Sequence, residues 1–490
     1  MQRERSHSRA RNTAVYSTLQ QREADRRPIR VGVVGAGATG RAIALQLGTP
    51  VPGMRLAAIS NRTPAHAERA LREAGIEGWQ AADSATDAAA RISRGAVVVA
   101  DDPTVLTRCD ALDIIVEVTG TVDFAATVAL DAFAHGKPVV LVNAEIDSLI
   151  GPILKVKADE AGVVVTHTDG DEPGVAMTLF RYCQTVGLRP VAAGNIKGMV
   201  DHYRTPETQR GFAEKHDQDV RKVTSFADAT KLSMETTVLA NATGFGVARR
   251  GMCGPACGYV RDLARLLPAD AMLSGGIVDY SVGAAPHTGG FVVVYEENPH
   301  KKTQLAYYKL GDGPFYVFYT PFHLPHIQIP STIARAVLHH DPTVAPLAGP
   351  ACEVLTIAKR DLRTGERLDG VGGFCAYGLI DNHTAARAAN ALPIALSDDC
   401  VLLRDIAKDQ VITFADVRMP ATRLSDELWR EQMKRWPGGA AGKISSPAHS
   451  GPRRATGGRF RRASAIRFLA STGPGARCRD DSMHTEPETQ

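Results

Sequence analysis

The chain has 490 residues, 44% of them hydrophobic, enough for two to four domains with substantial cores, so a disordered chain or a peptide-like module is excluded. No apolar run approaches the roughly 18 residues of a membrane span. The formal charge of +4 divides unevenly: residues 1–28 carry a net +4 and residues 437–490 a net +5, which leaves about −5 for the body. The basicity belongs to the two tails, and the body offers no footprint for nucleic acid.

Residues 1–27 are basic, lack the apolar stretch of a secretory signal and read as a disordered extension. The eight cysteines contain no C-x-x-C pair and read as reduced thiols of a cytoplasmic protein. The closest two, Cys253 and Cys257, lack further Cys or His at the spacing of a structural metal site.

From Ile29 the pattern becomes strand, glycine turn, helix, with a β-rich run before Gly35 and a helix over Ala42–Leu47. The alternation continues through Met54–Ser60 (strand), Ala65–Ala74 (helix), Ala111–Thr119 (strand) and Phe124–His135 (helix). Pro138–Asn143 (strand), Ile153–Ala161 (helix) and Gly162–Thr168 (strand) complete it. Such recurrence predicts an α/β fold with a parallel Rossmann sheet over residues 28–170. Residues 171–345 read as a mixed α+β catalytic and oligomerisation domain. It would hold a helix over Gly174–Val186 and an antiparallel sheet from Gly290–Tyr295, Gln304–Leu310 and Phe315–Tyr319. Residues 346–436 read as a small β-rich domain in which Ala358–Gly370 and Leu402–Thr413 echo each other, and residues 437–490 as a disordered basic tail.

Gly35-Ala-Gly37-Ala38-Thr39-Gly40 fits G-x-G-x-x-G between a strand and a helix, the arrangement that brings a dinucleotide pyrophosphate onto a helix N-terminus. An NAD enzyme usually places a carboxylate at the end of the second strand. This strand instead ends Ser60-Asn61-Arg62-Thr63, where Asn61 and Arg62 suit the 2′-phosphate of NADP, the alternative being a solvated loop arginine. Thr119-Gly120 and Asn143-Ala-Glu145 end the next strands and are candidates for lining the nicotinamide ribose, or structural turns.

Two segments concentrate reactive groups: Asn195–His202, with Lys197 and Asp201, and Asp228–Glu235, with Lys231 and Glu235. In a hydride-transfer enzyme a lysine polarises the carbonyl and a carboxyl group orients it or relays a proton. On a helix, Lys231 and Glu235 also fit an ordinary surface i, i+4 pair. Asp171 and Glu172 follow a strand end, where they would hold Mg²⁺ or Mn²⁺ or form a turn that caps the next helix. Lys197, Arg204 and Lys231 are cations suited to a substrate phosphate. His323 and His326 would contact substrate or satisfy local hydrogen bonds.

Gly35–Gly40, Asn143-Ala-Glu145 and Ala227–Glu235 together resemble homoserine-dehydrogenase-related oxidoreductases, and Arg404–Thr413 resembles a SAF domain. The combination, over residues 28–435, resembles the 1-deoxy-D-xylulose 5-phosphate reductoisomerase-like family. Asn195–Asp201, Thr205-Pro206 and Asn241–Gly244 also match its motif-like stretches. The resemblance implies NADPH-dependent conversion of a sugar phosphate, 1-deoxy-D-xylulose 5-phosphate, to 2-C-methyl-D-erythritol 4-phosphate for isoprenoid synthesis. It departs at Glu145, where homoserine dehydrogenases carry a lysine, at Asp409-Gln410, where a glycine turn is usual, and at Ala229, where glycine is usual.

The expectation is a cytoplasmic, homo-oligomeric NADP(H) oxidoreductase acting on a small molecule, without membrane or nucleic-acid partners and with a divalent metal if isomerisation precedes reduction. The alternatives are a dehydrogenase of another polyol, sugar acid or semialdehyde, and a non-catalytic SAF-type binding module.

Overall fold

The computed structural model describes residues 15–421 and 423–438; of the basic tail 437–490, only its first two residues fall within this set. Seven strands form a parallel sheet in the order β3-β4-β2-β1-β5-β6-β7, covered by helices on both faces. They are β1 (Ile29–Val34), β2 (Met54–Ser60), β3 (Gln80–Ala81), β4 (Val98–Ala100), β5 (Ile114–Glu117), β6 (Val139–Leu141) and β7 (Val165–His167). Order reverses across β1, with β2 on one side and β5 on the other, and this is the switch point where such sheets open a crevice for ligands.

Beyond β3 and β4, which the alternation does not predict, three departures from expectation have local causes. Within the extension expected to be disordered, Val15–Ala24 is a helix. Its Leu19 is buried, and Glu23 accepts the Gly53 N–H at 2.8 Å and pairs with Arg55 at 2.5 Å. The helix predicted from Ile153 begins at Ala144, because Asn143 caps it, and it continues through Pro152 to Glu160. Gln304–Leu310 is not a strand. Asn298 accepts the His300 and Lys301 N–H groups and starts a helix at Pro299 that runs to Tyr307 with no buried residue, so no apolar stripe marks its period.

The second sheet, β11-β10-β8-β9, comprises β8 (Arg189–Lys197), β9 (Ile277–Val282), β10 (Gly290–Tyr295) and β11 (Phe315–Thr320). It is mixed rather than antiparallel, since β8 and β9 run parallel. β8 and β9 approach so closely at Gly194 that a Cβ there would stand 1.6 Å from the Asp279 carbonyl oxygen. Gly194→Ala is therefore expected to cost roughly 3 kcal/mol by forcing these strands apart, read as a lowered denaturation midpoint. An unchanged midpoint would contradict this pairing.

The C-terminal region pairs β12 (Cys352–Ala358) with β13 (Ala376–Asn382), and β14 (Val401–Leu402) with β15 (Val417–Arg418). The two echoing segments fold alike and bond reciprocally. Leu362 N–H reaches the Ile406 carbonyl at 2.8 Å and Ile406 N–H returns to Leu362 at 3.0 Å. Where the first segment turns at Gly365 (φ +86°), the second turns at Asp409 (φ +66°), so the missing glycine leaves the turn intact. The Asp409 carboxylate is used: it accepts the Tyr203 and Tyr377 hydroxyls, each at 3.0 Å. One buried cluster joins Leu141, Ile146 and Leu154 of the first sheet region to Leu362, Leu402 and Leu428, so this region shares its core with the nucleotide-binding sheet. No described helix is long and apolar enough to cross a membrane.

Candidate functional site

Two adjoining features lie at the carboxyl edge of the first sheet. The first is a cleft of about 340 Å³ beside the glycine turn, lined by Gly35, Gly37, Ala38, Thr39, Asn61, Thr119 and residues from beyond the sheet. Gly35 takes φ +114°, and a Cβ on Gly40 would stand 2.2 Å from its carbonyl oxygen, so both glycines are sterically required. A Cβ on Gly37 would meet nothing within 4 Å, which leaves the backbone face open to a pyrophosphate. The turn thus fits a dinucleotide.

The flanking residues divide. Asn61 braces the turn, its Oδ1 accepting the Ala36 N–H at 3.2 Å. Arg62 is exposed, and no described residue pairs with its guanidinium. Thr119 donates its N–H to Glu117 at 2.8 Å. Asn143 is buried, its side chain donating to Glu117 at 3.0 Å and to the Thr121 carbonyl at 2.8 Å and capping the helix that follows β6.

The second feature is a buried cluster of ionisable groups. Alternation along β8 turns Asn195 and Lys197 to one face. There they meet Glu172, at the first turn of the helix Glu172–Thr185, and Glu235, in the helix Thr230–Thr243. Lys197 Nζ is 2.5 Å from Glu172 Oε2 and 3.6 Å from Glu235 Oε2. Asn195 Nδ2 donates to both carboxyl groups, at 3.0 and 3.1 Å. Lys231 reaches back to Glu145, at the start of the helix that follows β6, at 3.3 Å. Lys231 and Glu235 therefore do not form a surface pair; each turns to a separate partner.

Burial opposes charge throughout the cluster, and neighbours decide each outcome. Burial alone would lower the Lys197 pKa, but Glu172 and Glu235 raise it above the usual lysine value; Lys231 is raised likewise by Glu145 and Asp171. Burial raises Glu172, yet Lys197 pulls it below its ordinary value. Burial and repulsion from Glu172 push Glu235 well above the carboxylate range. The two carboxyl groups thus titrate as a coupled pair, with Glu235 the one that protonates more readily.

Residues 170–329, which carry most of this cluster, match the family described as Oxidoreductase DRL, catalytic domain. An oxidoreductase is the class of activity to which that similarity points. No curated protein matches the chain. Among solved structures, a probable dehydrogenase from Thermotoga maritima is similar at 12% identity and TM-score 0.37, over 65% of this chain and 91% of its own. The scyllo-inositol dehydrogenase from Lactobacillus casei, with bound NAD(H) and scyllo-inositol, gives 12% and 0.34 over 64% and 90%. An NAD binding oxidoreductase from Klebsiella pneumoniae gives 19% and 0.26 over 36% of this chain and 44% of its own, so the chain spans less than half of that protein. Likenesses this distant bear on neither substrate nor cofactor.

Of the expected site residues, Lys197, Lys231, Glu235, Glu145 and Glu172 come together, with Asp171 beside them. Asp201 does not: its carboxylate pairs with Arg204 at 2.9 Å, which also occupies the arginine expected to hold a phosphate. Asp171 and Glu172 do not fit a metal centre. Their oxygens face the His167 imidazole and the Lys197 ammonium, cations standing where a divalent ion would bind. Among the described residues no group of three or more His, Cys, Asp or Glu is arranged to hold a metal ion. His323 joins the rim, 3.0 Å from Thr288 Oγ1 and 3.9 Å from Glu172, whereas His326 lines a neighbouring cleft.

His167, at the end of β7, was not signalled by any motif. It is fully buried between Asp147 at 3.2 Å and Asp171 at 2.9 Å, tying the helices on either side of β7 together. Burial pulls its pKa down, but these two carboxylates push it up to about 9. Because the folded value exceeds the ordinary 6.5, this contribution is fully present below pH 6.5 and is lost as pH rises through about 9. Stability measured by denaturant titration is expected to fall across that window by on the order of 3 kcal/mol more in the wild type than in His167→Asn. Equal slopes would contradict the buried cation.

Proposed function

We propose that the protein is an NADP-dependent oxidoreductase that reduces the carbonyl of a small polar substrate, with 1-deoxy-D-xylulose 5-phosphate the first candidate. The carrying observation is the Lys231–Glu145 pair. It sets the buried cluster against the carboxyl edge of the dinucleotide-binding sheet, where the reactive end of the cofactor belongs. The preference for NADP rests on Arg62 and on the lack of a carboxylate after β2.

When bound, the cofactor supplies a hydride. Lys197 and Lys231, with side chains 21% and 13% exposed, are the cations of the cluster that a substrate can touch, while Glu172 and Glu235 lie behind them at 2% and 5%. A carbonyl oxygen set against the two ammonium groups is polarised, and the charge that develops on it is stabilised. Lys197 then gives a proton to the alkoxide oxygen and regains one from Glu235, its neighbour at 3.6 Å. Hydride and proton together convert a carbonyl to an alcohol; for 1-deoxy-D-xylulose 5-phosphate the carbonyl so reduced is that of the aldehyde formed by prior isomerisation of the ketose, in which one carbon–carbon bond breaks and another forms. No step is assigned to a metal, because the carboxylates that would ligate one are engaged by Lys197 and His167.

The test is NADPH consumption by the purified protein with 1-deoxy-D-xylulose 5-phosphate, with NADH in parallel and with Mn²⁺ present or omitted. Turnover with NADPH supports the full reading. Binding of NADPH without turnover removes this substrate and leaves the oxidoreductase reading to be tested on sugar acids and semialdehydes. Failure to bind either nucleotide removes the reading itself.

A further inference from the structure

The cleft beside the glycine turn is closed from above by a segment outside the nucleotide-binding sheet. Gln218, Asp219, Lys222 and Phe226, from the connection and helix that follow Lys215, form its far wall. This segment is pinned to the sheet's own helices. Asp217, in a left-handed conformation at φ +48°, takes Arg41 at 2.6 Å and Arg69 at 2.9 Å. Asp219 then accepts the Arg221 and Lys222 N–H groups, each at 3.0 Å, and starts the helix that carries Lys222.

The Lys222 ammonium lies so near Gly120 that a Cβ there would stand 2.5 Å from Nζ. No described carboxylate or carbonyl pairs with it, whereas Arg41, the nearest cation on the glycine-turn helix, is engaged by both Glu73 and Asp217. An unpaired cation therefore lines the same cleft as the open backbone of Gly37.

We propose that Lys222 binds the pyrophosphate of the nicotinamide dinucleotide, completing from the catalytic half a site whose other wall is the glycine turn. This rests on the reading of the cleft as a dinucleotide site. Its position separates it from Arg62: Lys222 stands at the end of β5 and Arg62 at the end of β2, with β1 between them. Lys222 serves a group common to NADPH and NADH, and Arg62 a phosphate that only NADPH carries. The anchor at Asp217 also means that the cofactor bridges both halves of the molecule when it binds.

The experiment is fluorescence titration of the full chain with NADPH and with NADH, at low and high salt, for the wild type, Lys222→Met, Lys222→Arg and Arg62→Ala. Lys222→Met is expected to weaken both nucleotides about tenfold and to flatten the salt dependence, and Lys222→Arg to restore most of the affinity. Arg62→Ala is expected to weaken NADPH alone. Unchanged binding of both nucleotides by Lys222→Met overturns the proposal, as does a loss confined to NADPH, which would move Lys222 to the 2′-phosphate. If the wild type binds neither nucleotide, the dinucleotide reading falls and this proposal with it. If it binds both and only the Lys222 variants behave as wild type, this proposal alone falls.

Discussion

Glu235→Gln is expected to lower kcat by a factor on the order of 10² to 10³ while the fold and NADPH affinity stay as they are. The amide occupies the same volume, still accepts from Asn195 Nδ2 and can donate to the Glu172 carboxylate, so the buried cluster keeps its hydrogen bonds. What it loses is a carboxyl group whose hold on a proton is strengthened by burial and by the Glu172 charge. The wild-type rate of reduction should accordingly fall on the alkaline side, as rising pH deprotonates the pair. In the variant that alkaline limb should be absent. A kcat near the wild-type value would show that protons reach the product by another route.

Lys197→Met is expected to lower kcat by a similar factor, on the order of 10² to 10³, and in addition to destabilise the fold by about 3 kcal/mol at neutral pH. The second effect arises because Glu172, with a side chain only 2% exposed, loses the ammonium 2.5 Å away and keeps a buried charge. In the wild type this pairing depresses the Glu172 pKa, so its contribution is present above the ordinary carboxylate value and lost as pH falls. The destabilisation of Lys197→Met should therefore shrink on acidification. Adding Glu172→Gln should recover stability at neutral pH but not turnover. Recovery of both would make Lys197 a structural counter-ion alone.

Five of the seven strands of the nucleotide-binding sheet are readable because each signal is local, whereas β3 and β4, of two and three residues, are too short to show a pattern. β2 lies where the alternation placed it, and the glycine turn lies between β1 and the helix Ala38–Gly48. β8 was not readable, although it is central to the second sheet: Gly194, Asn195 and Lys197 serve a close strand approach and the ionic cluster, so its end does not look like an apolar strand. The same holds for the site. Lys231 and Glu235 share a helix and were visible as a pair. Their partners lie far off in sequence, Glu145 86 residues from Lys231 and Asn195 40 residues from Glu235, and Glu145 and Glu172 by themselves suit a cofactor or a metal equally well. A carboxylate next to a strand end looks the same whether it faces a metal ion or a lysine, and only the fold brings the lysine to it. Lys222 sits in a polar helix whose sequence gives no sign that it closes a cleft more than 100 residues upstream.

The most direct measurement is a comparison of NADPH oxidation by wild type and Glu235→Gln, with nucleotide affinity determined on the same samples. The account predicts that both proteins bind NADPH equally and that the wild type consumes it with a carbonyl substrate while the variant is slower by at least about a hundredfold. Equal rates in the two proteins, or a wild type that does not bind NADPH, would contradict it.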